Sequence, residues 1–98
     1  MSNTFQIYLI SDSTGETLER IFLALKAQFV NIEYKVHSYS FTRTENQILK
    51  ILKDAKKKEN SVILYTIVDN NLAKYLANES DNKYLHCFGV LGNLILNF

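Results

Sequence analysis

Three short polar stretches of this 98-residue chain carry side chains able to hold or move a phosphate group. The first is Ser11–Thr17, reading SDSTGET. Ser11, Ser13, Thr14 and Thr17 offer hydroxyls, and Gly15 would let another group approach the backbone closely. A helix beginning here would add unbonded N–H groups and the positive end of its dipole. Together these describe a cradle for an anion. The same residues also read as a capped helix without a ligand, because Ser13 and Glu16 have capping-box spacing and would start the helix at about Thr14. Asp12 counts against a bare phosphate, which its carboxylate would repel unless it coordinates a metal or bonds a substrate hydroxyl. The stretch lacks the lysine of a Walker sequence and the three glycines of a dinucleotide fingerprint.

The second stretch is Phe41–Thr44 (FTRT). Arg43 is one of two arginines against nine lysines, and a guanidinium makes bidentate contacts with phosphate or carboxylate that lysine cannot copy. Arg43 could supply the positive charge that the first stretch lacks, with Thr44 beside it; pairing with Glu45 or another nearby acid is the plainer alternative. Thr44 and Gln47 again have capping-box spacing. The third stretch, Thr66–Asp69 (TIVD), ends in an aspartate suited to an N-cap and equally to a catalytic or metal-binding carboxylate. Asp12 and Asp69 facing each other would form an arrangement used for general-base or Mg²⁺ chemistry.

Other polar residues carry less. His37 and His86 lie in predicted strands without ligand spacing, Arg20 sits on a solvated helix face beside Glu16 and Glu19, and Cys87 reads as a small buried hydrophobe. Lys56, Lys57 and Lys58 end a helix, where cations complement the dipole. The six tyrosines and six phenylalanines fall mostly at core-type positions and form no base-stacking platform. No metal cluster is expected.

The elements that must position these stretches alternate strictly. Phe5–Ile10 is a short apolar run, a strand buried on both faces. Leu18, Ile21, Phe22, Leu25 and Phe29 make one stripe of an amphipathic helix. Glu33–Phe41 is a more polar strand at or near a sheet edge. Ile48, Ile51, Leu52 and Ala55 mark a second helix, with Lys50, Lys53, Asp54 and Lys57 on its outer face. Val62–Val68 is a strongly β-prone central strand. A third helix over about Asn71–Glu79, a strand over Tyr84–Phe88 and a last helical turn or two over Val90–Phe98 complete the chain.

Short connections in this alternation predict an α/β fold: an open parallel sheet of about four strands, order 2-1-3-4, with helices on both faces. Ligands of such sheets bind at the carboxyl ends of the strands beside the switch point, here between strands 1 and 3. All three polar stretches lie at such ends. The length fits one domain over residues 1–98. A net charge of +1 excludes a broad basic face for nucleic acid or anionic membrane. No apolar run is long enough to span a bilayer, the N-terminus is not a signal peptide, and one cysteine makes no internal disulfide, so the expected compartment is the cytoplasm.

A strand followed by SDSTGET and a helix ending in AQF resembles the N-terminal part of the pyruvate, phosphate dikinase regulatory protein family, which includes the phosphoenolpyruvate synthase regulatory proteins. FTRTENQ resembles that family's FxRT segment, ILYTIVD its VxYTLVD segment, and CFGVLGNLI its strand before an LLGPL turn. The resemblance runs from about Phe5 to the end of the chain. It implies a bifunctional enzyme that phosphorylates a threonine of the dikinase or synthase with ADP as donor. The same enzyme removes the phosphate by phosphorolysis, consuming inorganic phosphate and releasing pyrophosphate. The family is longer, and its nucleotide-binding P-loop, a GxSRxGKT-like stretch serving ADP, phosphate and Mg²⁺, lies in a second half that this sequence does not contain. Asn93 and Asn70 also stand where the family carries proline. No cofactor is therefore expected on this chain, and activity by the chain alone is not expected.

Three readings follow. The chain is the N-terminal domain of a regulatory kinase and pyrophosphorylase, truncated or split from a P-loop partner, with the dikinase or synthase as target. Alternatively it is a stand-alone phosphate- or partner-binding module, or the product of a decaying gene. In the last case a thinly covered sheet face predicts self-association or a marginally stable monomer. In the first reading Asp12 and Asp69 are the catalytic candidates; in the first two, Ser11, Ser13, Thr14, Gly15, Arg43 and Thr44 are the anion-binding ones, the second being non-catalytic.

Overall fold

The computed structural model describes residues 4–28 and 31–90. Four strands, β1 (Phe5–Ser11), β2 (Tyr34–Tyr39), β3 (Ser61–Thr66) and β4 (His86–Gly89), form one parallel sheet in the order β2-β1-β3-β4. Between them run α1 (Glu16–Lys26), α2 (Glu45–Lys57) and α3 (Asn70–Asn82). The expected fold class, strand order and helices on both faces are all present.

Alternation along β1 divides the core in two. Tyr8 and Ile10 point to the face covered by α2 and α3, where Ile48, Ile51, Leu52, Ala55, Ile63 and Leu76 are buried with them. Leu9 points to the opposite face, against Leu18 and Phe22 of α1 and Leu64 of β3. This division is what right-handed crossovers require: β1 connects to one side, and β2 then connects back across it to β3. Among the described residues α1 is the one helix on its face. An apolar groove of about 280 Å³ lies beside it, with Phe5, Leu25, Ile32 and Phe88 among its walls.

Several boundaries differ from expectation. Helix α1 starts at Glu16 behind Gly15, with no side-chain cap, so Ser13 does not cap it. Strand β2 stops at Tyr39 and β4 starts at His86, because Phe41 and Tyr84 take left-handed backbone conformations (φ 53° and 58°) that end regular strands. Phe41, Tyr84 and Phe88 are exposed rather than core residues. Val90 is helical and packs toward the α1 face; the rest of the expected last helix, and Phe29, lie outside the described residues. No helix among the described residues is long and apolar enough to cross a membrane.

Asp54 keeps a partly exposed side chain at the edge of the outer face of α2, yet it also reaches the core. Its Oδ2 accepts a hydrogen bond from the hydroxyl of fully buried Tyr8 at 2.6 Å and one from Lys58 Nζ at 2.8 Å. Tyr8 in turn stacks on His37, its register partner in β2, with ring centroids 4.6 Å apart. The Lys58 hydrogen bond, and after it the Tyr8 hydroxyl, hold the Asp54 carboxyl below the ordinary aspartate range. Burial and the Asp54 hydrogen bond push the Tyr8 phenol up.

The sign of the pH dependence follows. A carboxyl depressed in the folded state stabilises above its unfolded value of about 4 and loses that contribution as pH falls through the lower folded value. Urea unfolding of wild type and Asp54→Asn should differ at neutral pH and converge as pH is lowered through about 4 and below. Tyr8→Phe should cost about 1.5 kcal/mol at neutral pH, since it deletes a hydroxyl bonded to a charged acceptor.

Candidate functional site

Strand β1 is central, so the turn leaving it lies between the turns leaving β2 and β3. Buried Ser11 ends the strand opposite Thr66 of β3. Its hydroxyl accepts from the Ser13 amide at 3.1 Å and bonds the Ser13 hydroxyl at 3.2 Å, which bends the chain upward. Asp12 then ties three segments together. Its amide donates to the Thr66 carbonyl (3.3 Å), its Oδ2 accepts from the Val68 amide (2.9 Å), and its carbonyl accepts from Arg43 Nε (3.0 Å).

Gly15 has φ 86°, the left-handed region that glycine enters without penalty. A Cβ there would stand 3.4 Å from the Ser40 hydroxyl, which itself donates to the Thr14 carbonyl at 2.8 Å. The group that approaches Gly15 is therefore Ser40 of the neighbouring turn. Within α1, Glu16 and Glu19 already complement the positive end of the dipole.

The second turn is held from both sides. The Phe41 amide donates to the Ser13 carbonyl at 2.9 Å, and that of buried Thr42 to the Ser11 carbonyl at 2.8 Å. Thr44 forms the expected capping box with Gln47, so its hydroxyl serves the start of α2. Gln47 Oε1 also accepts from the Arg43 amide at 2.7 Å. Among the described residues no carboxylate pairs with Arg43. Its Nε is held by a backbone carbonyl, which leaves its terminal nitrogens for another acceptor.

The third turn places Asp69 as the N-cap of α3, its Oδ1 accepting from the amides of Asn71 (2.9 Å) and Leu72 (3.1 Å). Asp12, Arg43, Asp69 and Leu72 line one cleft of about 380 Å³ at the carboxyl ends of β1, β2 and β3. This is the end of the sheet at which the switch-point rule places ligands. Ser11, Ser13, Thr14 and Gly15 shape the turn beside this cleft, and Thr44 belongs to a cap at its edge. Leu72 as a wall of the cleft, Ser40 and the left-handed backbone of Phe41 were not singled out from sequence. Capping spacing at Thr44 pointed to Gln47, but nothing in residue type marks position 41 for a positive φ.

Two carboxylates and one guanidinium do not make a plain anion trap. They suit a ligand that carries a hydroxyl as well as a phosphate, with one carboxylate for the proton and Arg43 for the phosphate oxygens. Because Mg²⁺ is commonly held by one or two carboxylates plus phosphate and water, Asp12 and Asp69 are the residues of this cleft that could hold one. No group of three potential metal ligands occurs among the described residues.

The sequence model of the kinase/pyrophosphorylase family matches residues 7–98. The chain belongs to that family. It is 70% identical over its whole length to a protein of Pelagibacter ubique (strain HTCC1062), covering 36% of that protein. It is 43% identical over 92% of its length to one of Geotalea daltonii, covering 33%, and 34% identical over 91% to one of Bartonella bacilliformis, covering 32%. All three carry the name "Putative pyruvate, phosphate dikinase regulatory protein". The chain thus spans about a third of the length of these curated relatives, and the resemblance to an N-terminal part of this family is upheld.

Gly15→Ala should destabilise the fold by about 1–2 kcal/mol in urea unfolding, because alanine resists a left-handed conformation. Ser13→Ala should cost clearly less. The reverse ranking would mean that Ser13, not Gly15, sets the start of α1.

Proposed function

We propose that this chain is the N-terminal part of a cytoplasmic regulatory serine/threonine kinase and pyrophosphorylase acting on pyruvate, phosphate dikinase or phosphoenolpyruvate synthase. In one direction a threonine oxygen of the target takes a phosphoryl group from ADP, leaving AMP. In the other, inorganic phosphate takes that group from phosphothreonine, giving pyrophosphate and the free hydroxyl. The observation that carries this reading is the convergence of Asp12, Arg43 and Asp69 on one cleft, in a chain that matches the family over residues 7–98.

In this proposal Arg43 neutralises the phosphate oxygens, and Asp12 or Asp69 accepts the threonine proton. Mg²⁺, if bound, would rest on the same two carboxylates and offset charge on the phosphates. The backbone bonds to Val68, Asn71 and Leu72 hold the carboxylates in place. The sequence contains no GxxxxGK[ST] stretch, so the 98 residues hold no evident cradle for the donor nucleotide. The isolated chain is therefore expected to bind without turning over, and that same observation favours a non-catalytic phosphate-binding module as the second reading.

Titration of the isotope-labelled chain with phosphate, pyrophosphate and ADP should shift the amides of Ser13–Glu16 and Arg43. Adding a GKT-containing partner segment should then give ADP-dependent phosphorylation of the target. Binding without activity in the mixture supports the module; no amide shift in a folded chain refutes the anion site.

A further inference from the structure

Phe41 is expensive where it stands. Its φ of 53° is a left-handed conformation that a Cβ disfavours, and the residue is 52% exposed, so little apolar burial offsets that strain. Glycine or asparagine would fit this backbone better. The turn forces the conformation nonetheless: the Phe41 amide is bonded to Ser13, the next amide to Ser11, and the Phe41 carbonyl accepts from Gln47 Nε2 at 3.5 Å. What the ring does contact is informative. The Arg43 guanidinium lies over its face, Cζ 5.3 Å from the centroid, within cation–π range. Arg43 Nε is fixed at the same time by the Asp12 carbonyl.

We propose that Phe41 is a positioning residue whose ring, together with the Asp12 carbonyl, holds the Arg43 guanidinium in place over the cleft before an anion arrives. An arginine on an exposed turn ordinarily samples many rotamers, and ordering it on binding weakens affinity. Two restraints on one guanidinium remove much of that penalty in advance. The aromatic face also leaves the N–H donors unconsumed, which a carboxylate partner would not. This inference rests on the anion-site reading above.

The test is pyrophosphate titration of the full chain and its Phe41 variants, with thermal unfolding in parallel. Phe41→Leu keeps apolar bulk but removes the π face and should bind about two- to fivefold more weakly. Phe41→Tyr should restore wild-type affinity. Phe41→Gly relieves the backbone and should melt at or above the wild-type temperature while binding as weakly as Phe41→Leu. Weaker binding without lost stability is the result that a merely structural role would not produce. Wild-type affinity in both Phe41→Leu and Phe41→Gly overturns the inference and leaves the anion site standing. No pyrophosphate binding by wild type removes the anion site and this inference with it.

Discussion

The upper end of the sheet depends on the hydrogen bonds gathered by Ser11, Asp12 and Ser13. Strand β1 alone has a hydrogen-bonded neighbour on each side from which a chemical turn emerges. Ser11 and Ser13 carbonyls take up the amides of Thr42 and Phe41 on one side, while the Asp12 amide and carboxylate engage Thr66 and Val68 on the other. Both turns are thereby referenced to the same three residues, and Arg43 and Asp69 acquire a common frame. Rigid strands beneath and short backbone bonds above are the conditions under which side chains from distant sequence positions keep a fixed geometry.

That frame also explains the mixed charge of the cleft. Each aspartate has a structural bond to backbone amides and also lines the cleft. In the proposed role this balance suits a ligand that presents a hydroxyl beside its phosphate, with Arg43 serving the phosphate oxygens. Arg43 is bonded through Nε to the Asp12 carbonyl and lies over the Phe41 ring, with no carboxylate paired to it among the described residues.

Much of this was legible in the sequence. Apolar alternation, helical stripes and short connections were enough for the strand order, because right-handed crossovers leave few arrangements for four parallel strands. The caps at Thr44 and Asp69 were readable from spacing, since each needs only local geometry. Less legible were features set by contacts across the chain. The Ser13–Glu16 spacing suggested a cap that Gly15 displaced, as Ser13 is drawn to Ser11 instead. Asp54 is as partly solvated as a helical wheel suggests, but the tyrosine that also bonds it lies 46 residues away and no local spacing announces it. The left-handed Phe41 is imposed by bonds from β1, which no residue at position 41 announces.

Native-state amide hydrogen exchange of wild type and Asp12→Ala tests most directly whether the end of β1 organises the neighbouring turns. The account predicts slow exchange at Thr42 and Val68 in wild type, with the Val68 protection lost in Asp12→Ala while core amides such as Ile63 stay protected. Rapid exchange at Thr42 and Val68 in a wild-type protein whose core amides are slow would contradict it.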